Sequence, residues 1–198
     1  MRWLAALLLL LGACSSSTSA SELGTRPDGM GGFVSLCSGD CHCTAESCVV
    51  DCPEGGCMVE CLDGSDCEFD CSGGGCNLDC DGGSTCHVTC SGGGCTYDCD
   101  TGAECTMDCE TGDCRVESCD ENATCHINCP GGGCDILCEH GSRCEIDCGG
   151  GGCSADCSGA QSCQQACTSG CELECRSASP CSQTCEAADT CTCDGCTG

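Results

Sequence analysis

Along most of this chain, cysteine and apolar residues alternate with polar ones in short bursts of the form C-x-Φ-x-C. In the clearest stretch Φ is Phe69, Leu78, Val88 or Tyr97. Cysteine, apolar residue and cysteine fall at i, i+2 and i+4, the period of a strand. All three therefore point to one face and the intervening residues to the other. Glycine-rich corners separate the bursts: Gly73 to Gly75, Gly82 with Gly83, and Gly92 to Gly94. Glycine runs where a chain must reverse predict positive φ.

From Cys67 to Glu104 the same sentence is written twice, as C-x3-C-x4-C-x3-C-x5 with a period of 19 residues. Each copy predicts one coil of strand, tight corner, strand, tight corner. The frame continues in both directions, with coils beginning at Cys48, Cys67, Cys86, Cys105, Cys125, Cys144 and Cys163, and a degenerate one at Cys181. The second strand of the fourth coil reads C-R-V-E-S-C (Cys114 to Cys119) and holds one residue too many, the mark of a β-bulge. The seventh coil is one residue short, at Thr168-Ser169-Gly170. Self-similarity at this period is the signature of a solenoid, whose coils bury an inner face only by stacking. The expected fold is all-β: a small Cys-rich β-solenoid of 19-residue coils, two short strands per coil, stapled by disulfides.

Composition says why staples are needed. The chain has 37 Cys, 31 Gly and 2% aromatic residues. Without the cysteines the inner face keeps about one apolar side chain per strand, too little to outweigh chain entropy. Metal–thiolate clusters favour C-x-C and C-x2-C spacing. Those spacings occur only at Cys41/Cys43, Cys191/Cys193 and Cys193/Cys196, near the ends of the repeat. Disulfides are the reading the repeat itself supports.

Cysteine parity narrows the pairing, on the assumption that no thiol is left free. Setting Cys14 aside leaves 36 cysteines. Pairing all four cysteines within each full coil strands odd groups at the two ends. Eight rungs hold those groups nearly 40 Å apart, beyond disulfide reach. Bridges that bracket the corners leave even groups instead. They run Cys52–Cys57, Cys61–Cys67, Cys71–Cys76, Cys80–Cys86, Cys90–Cys95, Cys99–Cys105, and on to Cys175–Cys181. Four cysteines then remain at each end: Cys37, Cys41, Cys43, Cys48 and Cys185, Cys191, Cys193, Cys196.

The N-terminus reads differently. Met1 to Ala13 carries one Arg and a short apolar run, too short to span a bilayer as a helix. It ends in Leu11-Gly12-Ala13-Cys14. This motif resembles the lipobox of bacterial lipoprotein signal peptides. The resemblance implies removal of residues 1–13, lipid attachment to the Cys14 sulfur, and, with Ser15 in place of Asp, anchoring at the outer membrane or cell surface instead of inner-membrane retention. A signal peptide leads to an oxidising compartment. Residues 14–36 are Ser- and Gly-rich and read as a flexible tether, with Phe33, Val34 and Leu36 available to dock on the first coil. The solenoid is expected over 37–198, with atypical caps at 37–47 and 185–198 that close off unpaired strand edges.

Charge comes next. The chain has no lysine and a net charge of −27. That excludes nucleic acid as a direct partner. In a parallel stack the fourth residue of each second strand forms a column of Glu60, Asp79, Asp98 and Glu117, broken at Leu137 and resumed at Asp156 and Glu174. The first strands give Asp51, Asp70, Thr89, Asp108, Asn128 and Asp147. One reading is a solvated face that keeps a thin rod soluble. The other is a divalent-cation ladder, with Asp79, Asp98 and Glu117 as carboxylate ligands, since hard cations take carboxylate oxygens.

Two further resemblances fall short. Gly92-Gly93-Gly94-Cys95-Thr96-Tyr97-Asp98 resembles the calcium-binding RTX β-roll, but its Asp follows the apolar residue instead of preceding it. Short disulfide-stapled coils are also similar to insect antifreeze proteins, yet the outward positions here are acids with only scattered threonines (Thr89, Thr96, Thr106). Catalysis has little to stand on. His87 and His126 share an outward column two coils apart, and a regular rod offers no concave pocket. The expectation is therefore an exported, lipid-anchored, non-enzymatic structural or interaction protein of the bacterial cell envelope. It requires no cofactor, and its partners are the membrane through the anchor and a protein or envelope partner the sequence does not name. The alternative is a metal-binding lipoprotein, holding Ca²⁺ or another divalent cation on the acidic columns or buffering metal on thiolates.

Overall fold

Each coil delivers one strand to each of two sheets, and the strands of a sheet stack in parallel. The computed structural model describes residues 14–15, 25–27, 33–43, 47–62, 64–176, 180–187 and 190–197. The segment 1–13, read as a signal peptide, lies outside the described residues. The first sheet holds the first strand of every coil: Ser47–Asp51, Asp66–Asp70, Thr85–Thr89, Glu104–Asp108, Thr124–Asn128, Arg143–Cys148, Ser162–Cys167 and Cys181–Cys185. The second sheet holds Met58–Cys61, Asn77–Cys80, Thr96–Cys99, Arg115–Cys119, Asp135–Leu137, Ser154–Asp156 and Glu172–Glu174. The protein is a β-solenoid of about eight turns.

Register keeps like residues on like. In the first sheet Cys48, Cys67, Cys86, Cys105, Cys125, Cys144, Cys163 and Cys181 form one column. Between the two sheets lie the apolar columns: Val50, Phe69, Val88, Met107, Ile127 and Ile146 from one side, and Val59, Leu78, Tyr97, Val116, Ile136, Ala155 and Leu173 from the other, all buried. The strand period thus gives one buried apolar side chain per strand. The seventh coil breaks the apolar rule with Gln165, which is buried and accepts a 2.7 Å hydrogen bond at Oε1 from Gln183 Nε2.

Among the described residues, eighteen disulfides staple the rod. Cys52–Cys57, Cys71–Cys76 and Cys90–Cys95 bracket one corner of successive coils. Cys61–Cys67, Cys80–Cys86 and Cys99–Cys105 bracket the other. Each bridge therefore ties one sheet to the other. At the ends the pairs are Cys37–Cys41, Cys43–Cys48, Cys185–Cys191 and Cys193–Cys196.

The shorter corner has a second requirement besides positive φ. Gly74 and Gly93 sit buried at φ 76° and 73°, each directly against the next coil. A Cβ on Gly74 would lie 2.6 Å from the Gly93 carbonyl oxygen. Both the left-handed backbone and the axial stacking therefore demand glycine. The longer corner is lined by small buried residues, Ser65, Ser84, Ala103, Ala123, Ser142 and Ala160.

Three features differ from the sequence reading. The extra residue of the fourth coil does form a bulge, and it shifts register, so that Asp98 faces Ser118 and not Glu117. The two caps each add a rung to the second sheet. Asp40–Cys43 pairs with Met58–Cys61 and puts Cys41 opposite Val59, and Thr192–Asp194 pairs with Glu172–Glu174 and puts Cys193 opposite Leu173. A C-x-C spacing here is half of C-x-Φ-x-C with cysteine in the apolar slot, the tail at Cys41–Cys43 and the head at Cys191–Cys193, which is why these rungs were not visible in the repeat. Finally, part of the segment read as tether is paired: Phe33–Leu36 runs parallel to Ser47–Asp51, and Thr25–Pro27 runs antiparallel to Phe33–Leu36. An end rung leaves a row of N–H and C=O groups that need partners, and the adjacent chain supplies them.

Candidate functional site

The outward face of the second sheet near its corner carries the chemistry. Side chains alternate there, so residues on either side of a buried cysteine both point out. Glu60, Asp79 and Asp98 are in register on successive rungs. Two residues further along, across Cys80 and Cys99, come Asp81 and Asp100, and then Asp120 after Cys119. The result is a double row of carboxylates. The flanking row was missed from the sequence although its signal is plain: the residue after the second strand's last cysteine is Asp81, Asp100, Asp120 or Glu139 in four consecutive coils.

Asp79 is the most perturbed member. It is half-buried, its Oδ1 has no solvent exposure and no hydrogen-bond partner, and its carboxyl is pushed up to about 6. Burial is the first cause, followed by the charges of Asp81, Asp100, Asp98 and Glu60. Asp98 is raised as well, first by burial, with a Ser118 hydrogen bond opposing and Glu117 and Asp100 adding. Ser118 Oγ stands 3.0 Å from Asp98 Oδ1 and 3.1 Å from Asp100 Oδ1, so its one proton serves two carboxylates. The bulge thus places a donor, Ser118, where the row would otherwise have its fourth acid. Asp120 is raised by burial, then by Asp100 and Glu121, while His140 lowers it.

Of the three residues read as cation ligands, Asp79 and Asp98 are adjacent in one column. Glu117 is exposed and one step out of it, although it still acts electrostatically on Asp98. Ser118 and Leu137 interrupt the row, which resumes with Asp156 and Glu174 and continues to Asp194. Glu174 there is already paired with Arg176, Nε to Oε1 2.5 Å. The histidines are taken up by neighbouring acids: His42 by Glu60, His87 by Asp108 at 3.6 Å, His126 by Glu145 at 3.2 Å and His140 by Asp120 at 3.8 Å. Cys14 begins a two-residue strand, Cys14–Ser15, that pairs antiparallel with Asp40–Cys43 at the N-terminal end of the second sheet.

Adjacent rungs of a sheet are about 4.8 Å apart. A hard cation set midway between carboxylates one rung apart would be about 2.4 Å from an oxygen of each, the calcium–oxygen distance. The double row therefore has the spacing for divalent cations, and it is also a dense anionic stripe. No protein-family model matches this chain, and no curated protein or solved structure is similar to it at a significant level.

Proposed function

We propose that this chain is a lipid-anchored, non-enzymatic rod that does structural or interaction work in the bacterial cell envelope. The observation that carries the reading is the combination of staples and leader. Bridges at both corners of coil after coil require an oxidising compartment. Leu11-Gly12-Ala13-Cys14 offers a route to one, with an acceptor for lipid at its end. Cys14 stands at the first rung of the second sheet, so a lipid there would hold the rod by its N-terminal end and leave the coils and their acidic face to project. Stable anchoring takes more than one acyl chain. The test is Cys14→Ser in an exporting bacterial host. The variant is expected to leave the detergent phase or to remain unprocessed; normal cleavage with unchanged detergent partitioning would sink the reading.

A second reading, divalent-cation binding on the same face, is favoured by one specific observation: the buried Asp79 Oδ1 has no partner while four other carboxylates raise its affinity for positive charge. Calorimetric titration of calcium into the oxidised protein at about 150 mM NaCl separates the two. The structural reading expects no saturable heat. A dissociation constant below about 1 mM, the weak end of extracellular calcium modules, would promote the cation reading.

A further inference from the structure

The bridges are not isolated from one another. The Sγ atoms of Cys52, Cys71 and Cys76 all lie within 4.8 Å of each other, as do those of Cys71, Cys90 and Cys95. On the other corner the same holds for Cys99, Cys119 and Cys125, and for Cys119, Cys138 and Cys144. In every one of these trios, two sulfurs form one bridge and the third is the first cysteine of the bridge one coil earlier. Stacking identical corners one rung apart makes columns of sulfur in which each bridge abuts the next. These columns are buried along the body of the rod. At the C-terminal end they come to the surface. Cys185 and Cys191 are both only partly buried, and Cys191 Sγ lies 3.7 Å from Cys167 Sγ of the buried bridge Cys167–Cys171.

We propose that Cys185–Cys191 is the port of a thiol relay that carries disulfide exchange from an external thiol into the stacked bridges. An external thiolate attacks Cys185 Sγ. The Cys185–Cys191 bond breaks, a mixed disulfide forms on Cys185, and Cys191 leaves as thiolate. Cys191 then attacks Cys167 Sγ; the Cys167–Cys171 bond breaks, Cys167–Cys191 forms, and Cys171 leaves as thiolate. Inside the rod the same step has defined partners. A thiolate on Cys95 attacks Cys71, forming Cys71–Cys95 and releasing Cys76; Cys76 attacks Cys52, forming Cys52–Cys76 and releasing Cys57. No step after the first consumes a reductant: one bond forms for each that breaks, and the number of bridges is unchanged. Buried thiols resist ionisation, so the relay is slow near neutrality and quickens as pH approaches the ordinary thiol value of about 8.5. The partner it fits is a dithiol, whose second sulfur resolves the mixed disulfide on Cys185.

The experiment is made on the full chain with Cys185→Ser, which leaves Cys191 as the only displaced thiol. The variant is held at a pH of about 8.5 for several hours, the timescale of uncatalysed disulfide rearrangement. It is then acid-quenched, alkylated and mapped by non-reducing peptide mass spectrometry. The expected result is a Cys167–Cys191 cross-link, with label appearing on Cys171 as well as on Cys191. Label confined to Cys191, with Cys167–Cys171 intact, would overturn the proposal. Cys191→Ser is the control: its Cys185 thiol faces the Ala187 carbonyl at 3.3 Å, and the label is expected to stay on Cys185. Equal exchange from this variant would mean random scrambling and would also overturn the relay. Should Cys185→Ser not fold, the unaltered protein treated with one equivalent of dithiothreitol gives the same readout, and Cys90→Ser tests the interior step through appearance of Cys71–Cys95 with label on Cys76.

Discussion

Asp79→Asn is the sharpest probe of the acidic face. In the fold this carboxyl is raised from 3.8 to about 6, by burial first and by Asp81, Asp100, Asp98 and Glu60 after it. A raised acid favours its protonated form in the folded state. Its ionisation therefore costs stability, the cost growing as pH rises from 3.8 to about 6 and complete above that window. At about 1.36 kcal/mol per pKa unit the full cost would be about 3 kcal/mol. Asp79 is only half-buried, however, and screening by water brings the expectation to about 1 kcal/mol. The amide keeps the shape and never ionises. The substitution should thus make the oxidised rod more stable by about that amount at neutral pH, with the gain shrinking below about 6 and gone below 3.8. The assay is a guanidinium titration followed by circular dichroism, wild type against variant, at several pH values. A variant less stable than wild type at pH 7 in calcium-free buffer, or a gain that does not change with pH, would refute the reasoning. Calcium adds a second arm. If a cation is ligated there, its mass-action stabilisation is lost with the carboxylate, and the sign of the difference reverses in calcium.

Two further outcomes are expected. Full reduction should abolish the β signal in circular dichroism, since each short bridged loop contributes about 2 kcal/mol in the chain-entropy model and the core offers one apolar side chain per strand; a reduced chain that kept its strand signal would show the core to be sufficient. Gly74→Ala should lower stability by more than about 1 kcal/mol, the left-handed cost alone, because its Cβ would also meet the Gly93 carbonyl oxygen 2.6 Å away; an unchanged denaturation midpoint would show that the corners can shift apart.

The repeat was legible because three separate constraints write the same period into the chain. Cysteine must recur at the corners, an apolar residue must recur between cysteines, and glycine must recur where φ is positive and coils touch. Tyr97 shows the limit of that pattern. It reads as one more Φ, and it is buried as one, but its hydroxyl has no partner and burial pushes its ionisation up. An apolar slot in the repeat reports that a side chain goes in, not whether its polar atom is satisfied once there. The end rungs were hidden for a related reason. Cys41 and Cys193 occupy apolar slots, Cys41 buried and Cys193 exposed on the last rung, and a pattern of aliphatic and aromatic residues does not mark a cysteine in that slot.

The acidic site was half-legible, and the missing half follows from the bulge. Counting from the cysteine places Glu117 below Asp98, but register is set by the strand as a whole, and the extra residue between Cys114 and Cys119 must be absorbed somewhere. It is absorbed after Tyr97 and Val116, which keeps those two apolar residues paired at the core and slips the polar residues that follow. The choice is energetic: displacing Val116 from the interior would cost on the order of 1.5–3 kcal/mol, whereas exchanging Glu117 for Ser118 on the wet side removes one carboxylate from a crowded row. Ser118 then gives its proton to Asp98 or Asp100. The bulge relieves the carboxylate repulsion at one end of the row, while Asp79, one rung earlier, has no such donor and keeps the raised affinity for a proton.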